Sequence, residues 1–189
     1  MHVKWIQAPL MTLSAATMIA GVATAAPVGS MDRMFAVKAA QGGIAEVSAA
    51  RIAERKAIDG GVRDFAQRMR TDHSQANRDL TRIASGQGIA LPMSTDAKHR
   101  MQLARLESFS GPQFDRVYMK GQVADHVATV ALFQREARWG RNPALRSFAA
   151  RMLPALKSHK NMSFTVAESL NPNMRAGIYA HRRHHMAPM

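Results

Sequence analysis

Apolar side chains recur at intervals of three and four along most of this chain, and no strand-rich segment interrupts them. Residues 31–57 read as a first helix in which Phe35, Val47 and small residues mark the packed face, with Gly42-Gly43 interrupting it. Asp59-Gly60-Gly61 follows as a turn. A second helix, Val62 to about Gln87, carries the stripe Val62, Phe65, Met69, His73, Ala76, Leu80 and Ile83. Gly86, Gly88 and Pro92 end it, and Ser94 or Thr95 caps a shorter helix reaching Phe109. After the break Ser110-Gly111-Pro112, a third long helix spans Gln113 to Arg138. The fourth opens with Asn142 as N-cap and Pro143 at the first helical position, where a missing N–H costs nothing. Its face runs Leu145, Phe148, Met152, Leu156, His159, Ser163, Val166 and Leu170; Pro154 predicts a kink, and Asn171-Pro172-Asn173 stops it.

The long helices come from a sequence that repeats itself. Phe35, Gly42 and Glu46 recur at the same spacing as Phe114, Gly121 and Asp125. Phe65-Ala66-Gln67-Arg68-Met69 is echoed by Phe148-Ala149-Ala150-Arg151-Met152. The unit is therefore a two-helix hairpin used twice. The fold class expected is all-α, a ferritin-like four-helix bundle of two helical hairpins joined by a crossover that contains the short helix.

Composition adds the surroundings. Met1 to Lys4 is a short basic start, Trp5 to Val22 is mostly apolar, and Ala23-Thr24-Ala25 is a small-x-small cleavage site, so residues 1–25 read as a signal peptide and 26–30 as a linker. The bundle then occupies 31–170, and 171–189 is a basic, His-rich tail read as disordered, with His181, Arg182, Arg183, His184 and His185. Export to the periplasm follows, either free or associated with the outer membrane, and no transmembrane segment is expected after cleavage. The absence of cysteine excludes a disulfide framework and an acylated lipoprotein cysteine. A formal charge of +13 suggests anionic envelope polymers or another envelope protein as partners. Nucleic acid is not expected, since aromatics are only 6% and no nucleic-acid-binding motif is present.

Candidate chemistry lies where the helix midpoints converge. Glu46, His73, Asp125, His126 and His159 fall near those midpoints, and His126 shares a packed face with Tyr118 and Phe133. Imidazole with carboxylate oxygen suits one zinc, copper, nickel or iron ion. A di-iron centre is not expected, because Arg70 and Leu156 stand three residues before His73 and His159, where Glu-x-x-His would place glutamates. Met69, Met101, Met119, Met152 and Met162 are too dispersed to read as a copper(I) site. Two readings stay open for the histidines: a metal site, or core groups satisfied by Glu46, Asp72 or Asp125. No nucleophile elbow, phosphate loop or dinucleotide fingerprint is present.

Several motifs match a known family in order. They are the Ala-Ala-Gln-Gly-Gly-Ile-Ala-Glu-Val run within Phe35 to Ala57, Met69-Arg70-Thr71-Asp72-His73, Phe114-Asp115 with Tyr118, Val123-Ala124-Asp125-His126, and Leu153-Pro154-Ala155-Leu156 with His159. Over residues 33–170 the chain resembles the exported bacterial family called domain of unknown function 4142. The resemblance implies a ferritin-like bundle and no assigned activity; members are often labelled outer-membrane proteins. On these grounds the protein is expected to be a binding or envelope-stress accessory scaffold rather than an enzyme. A mononuclear metal-binding bundle for storage, sequestration or sensing is the alternative, and a metal-dependent redox enzyme a third reading.

Overall fold

The computed structural model describes residues 28–171; the expected signal peptide and His-rich tail lie outside them. Among the described residues the structure is all-helical, with α1 (Ser30–Lys56), α2 (Gly60–Gly86), α3 (Ala97–Glu107), α4 (Gly111–Trp139) and α5 (Pro143–Leu170). No helix among them is long and apolar enough to cross a membrane.

The punctuation is local chemistry. Asp59 caps α2 by accepting from the Val62 N–H at 3.1 Å, so helix begins at Gly60, inside the stretch expected as a turn. Asn142 caps α5 as expected, accepting from the Ala144 and Leu145 N–H groups. The cap of α3 is Asp96, not Ser94 or Thr95: its carboxylate takes the His99 N–H at 2.9 Å. Gly111 and Pro112 form the first turn of α4 instead of lying outside it. Gly88 closes α2 at φ +63°, a conformation that glycine adopts without strain. Helix α5 runs on through Pro154.

Helix α1 packs along α2 and α4 along α5, with further contacts between α1 and α4 and between α2 and α5. Phe35, near the start of α1, meets Phe133, near the end of α4, at 5.0 Å between ring centroids. Helix α3 lies along α1. Thr95, just before it, donates to the Gln41 carbonyl at 3.1 Å, and Lys56 donates to the carbonyl of Glu107 at its end.

The apolar interior is divided in two. One cluster holds Ala50, Phe65, Met69, Tyr118, Met119 and Ala167; the other holds Phe35, Ala40, Leu80, Val130, Phe148 and Leu156. Every long helix crosses from one cluster to the other, and each carries buried polar side chains at the crossing. These are Glu46 on α1, His73 on α2, Gln122 and His126 on α4, and His159 and Ser163 on α5. A polar layer through the middle of a core is costly unless its groups find partners, and that layer contains the candidate site.

Candidate metal centre

The three histidines reach the layer by helical arithmetic. His73 follows Met69 by four positions, His126 precedes Val130 by four, and His159 follows Leu156 by three, so each continues its helix's buried stripe. Their rings form a nearly equilateral triangle, with centroid separations of 5.6 Å for His73–His126, 5.6 Å for His73–His159 and 5.5 Å for His126–His159. One ring nitrogen from each lies within 4.8 Å of the other two.

Outer partners decide which nitrogens remain. His126 Nδ1 is 3.0 Å from the Gln122 carbonyl oxygen, which can only accept, so Nδ1 carries the proton and donates. His159 Nε2 is 2.8 Å from Asp72 Oδ2 and donates to that carboxylate. The nitrogens left over, His126 Nε2 and His159 Nδ1, are buried without a hydrogen-bond partner, as is His73 Nε2. Burial favours the uncharged ring in all three. It pushes His73 down to about 3, reinforced by His126 and His159, and also lowers His126 and His159, with Gln122 and Asp72 pulling the other way. Three neutral imidazoles with lone pairs to spare are what a transition metal requires of its ligands.

Glu46 and Asp125, expected beside the histidines, are not members of this group. Asp125 precedes His126 by one position and so points about 100° away around α4; it is half-buried. Glu46 is held by Gln122, whose Nε2 donates to Glu46 Oε2 at 2.9 Å. Burial raises the Glu46 carboxyl to about 7 despite the Gln122 hydrogen bond. Gln122 was not among the sequence candidates, yet its carbonyl orients His126 and its side chain anchors Glu46; its position four residues before His126 is the only sequence signal for it. Beside the triangle lies a cavity of about 290 Å³ whose walls include His73, Glu46, Asn77 and Asp125. There Asn77 occupies the space that a Cβ on Gly43 would need, so the second of the two mid-helix glycines is explained by close approach of α2. Gly42 has no such neighbour.

The family model for Domain of unknown function (DUF4142) matches residues 17–166. The chain belongs to the DUF4142 family. A crystal structure of a DUF305 fragment from Deinococcus radiodurans is similar at a TM-score of 0.68 and 14% identity, over 76% of this chain and 99% of that one. At that identity the likeness speaks for the helical fold alone. No curated protein matches the sequence.

Proposed function

We propose that this DUF4142 protein binds one transition-metal ion through His73, His126 and His159, inside a ferritin-like bundle in which α3 belongs to a crossover between two hairpins. One observation carries the reading: three buried ring nitrogens, each without a partner, belong to three rings that converge from three helices. A core histidine that only fills space ordinarily has its polar atoms satisfied, because each orphan costs roughly 1–3 kcal/mol. Here Gln122 and Asp72 engage one nitrogen of His126 and of His159 and leave the other bare, the arrangement that orients histidine ligands in metal sites. The contacts of Thr95 with Gln41 and of Lys56 with Glu107, at the two ends of α3, support the crossover.

Three imidazoles leave at least one coordination position for a small exogenous ligand, and they suit zinc, copper, nickel or iron. Affinity should follow Cu²⁺ above Zn²⁺ and Ni²⁺, and those above Fe²⁺. The role is storage, sequestration or sensing within the envelope. The leader-like residues 1–25 and the basic charge support an exported, periplasmic setting with anionic envelope partners.

X-ray absorption on the Zn²⁺-loaded full chain tests the ligand set. His181→Ala, His184→Ala and His185→Ala are included so that the tail contributes no imidazole. Three imidazole nitrogens at about 2.0–2.1 Å are expected. A shell of oxygen scatterers without imidazole would refute the assignment.

A further inference from the structure

On the side of the bundle away from the α2–α5 pair, α3 bridges α1 and α4 without filling the space beneath it, leaving a cavity of about 400 Å³. Its walls are chiefly apolar: Ala45 and Ala49 from α1, Leu103 and Leu106 from α3, and Val117 from α4. The volume lies in the range of pockets that enclose small organic ligands. Two features suggest that it serves binding rather than being a packing fault.

The first is Gly121, in the interior of α4, on the cavity wall. A mid-helix glycine costs about 1 kcal/mol relative to alanine. A close neighbour usually explains one, as Asn77 does for Gly43, but a Cβ built on Gly121 meets nothing within 4 Å. No packing neighbour requires this glycine, and it lines the cavity. The second is charge. Arg105 on α3 and Lys120 on α4 both line the cavity and are exposed, and neither side chain has an ion-pair or hydrogen-bond partner among the described residues. Asp125 also lines the cavity; burial raises its carboxyl above the ordinary range, with the His99 and Lys98 charges pulling the other way.

We propose that this cavity binds a small amphipathic anion, with its aliphatic body between α1, α3 and α4 and its anionic head at Arg105 and Lys120. None of the three histidines lines this cavity, and the inference does not depend on metal binding. A medium-chain carboxylate has the required chemistry. Its chain replaces water against the alanine, leucine and valine walls, and its head meets two cations that no described residue neutralises.

Decanoate, below its micellar concentration, is the probe, and 1-decanol is its uncharged counterpart. Titration of the full chain should show saturable binding of one decanoate per chain, with intermolecular NOEs to the Leu103, Leu106 and Val117 methyls. Arg105→Gln and Lys120→Gln should each weaken decanoate roughly two- to fivefold at low salt and leave 1-decanol unchanged. Gly121→Leu fills the space from within a helix and should abolish binding of both probes while retaining the helical circular dichroism. The NOE pattern on the unaltered chain provides a test that needs no variant. Non-saturable uptake, NOEs scattered over the basic surface, or undiminished binding by a folded Gly121→Leu protein would each overturn the proposal.

Discussion

His159 donates its Nε2–H to Asp72 Oδ2 at 2.8 Å, across the α5–α2 contact. The bond fixes the tautomer and leaves Nδ1 as a buried lone pair. Asp72 is therefore a positioning residue for the proposed centre. Asp72→Ala should lower Zn²⁺ affinity by about 10–100-fold while one ion per chain is still taken up at saturation. Competition against a chelator of known affinity measures this, and an unchanged affinity would remove Asp72 from the account.

Near one end of the bundle, Glu136 and Asp32 form a buried carboxyl pair. Asp32 Oδ1 accepts from the Arg141 and Asn142 N–H groups at 2.8 and 3.0 Å, and Oδ2 from Gly29 N–H at 2.8 Å. Burial opposes its charge, but these bonds and one from Glu136 hold Asp32 below the ordinary carboxylate range. Glu136, whose two carboxyl oxygens are buried and reached by no N–H or hydroxyl donor, is pushed up to about 7 by burial and then by the Asp32 carboxylate beside it. A raised folded value means that Glu136 takes up a proton on folding. Its contribution to stability is full below the unfolded value near 4.5 and is lost as pH rises through about 7. Glu136→Gln, which keeps a donor toward Asp32, should flatten the loss of stability between about pH 5 and 8. Denaturant midpoints across that range would show it, and an unaltered slope would argue against the raised Glu136 carboxyl.

The histidines pull the other way. His73, lowered from 6.5 to about 3, favours the neutral folded form, so the stability it provides is present above pH 6.5 and lost as pH falls toward 3. His126 and His159 are lowered in the same sense. With Glu46 and Glu136 both near 7, the metal-free protein should be most stable at roughly pH 6.5–7. A thermal melting series records the maximum; stability rising steadily down to pH 4.5 would contradict neutral burial of the histidines.

Asp115 does for the α1–α2 turn what Asp32 does for the α4–α5 turn. Its carboxylate accepts from Ile58 N–H at 3.3 Å and Asp59 N–H at 2.9 Å, so an acid early in the first helix of each hairpin grips the turn of the other. Asp115→Ala should cost about 2–4 kcal/mol, since it leaves two part-buried donors bare. Urea unfolding measures it, and a loss below about 0.5 kcal/mol would place the turn's stability elsewhere.

Tyr118 presents the opposite case. Its hydroxyl is buried without a hydrogen-bond partner, while its ring packs on Phe65 and Phe114. Tyr118→Phe retains the ring and removes the orphan, so stability should be unchanged or raised by up to about 1–3 kcal/mol. A clear loss in urea unfolding would reveal a partner for the hydroxyl.

Helical periodicity, the Asn142 cap and the glycines placed the five helices within a few residues, because those signals are local. The Asp96 cap and the early starts of α2 and α4 differ because several capping residues and glycines stand in a row there. His73, His126 and His159 were legible as polar positions on apolar stripes. Glu46 reads as a candidate ligand at a helix midpoint; its engagement by Gln122 depends on the α1–α4 pairing, across 76 residues. The Asp32 and Asp115 grips span more than 50 residues each, beyond the reach of any short motif.

The most direct measurement is a Zn²⁺ titration of the full chain carrying His181→Ala, His184→Ala and His185→Ala, beside the same protein with His126→Ala, each followed by calorimetry and thermal melting. The account predicts one ion per chain, and a melting temperature raised by roughly 5–15 °C at a hundredfold excess over the dissociation constant. Both effects should be lost in a His126→Ala protein that is still helical. A chain that takes up no ion, or a His126→Ala protein that binds as the parent does, would contradict it.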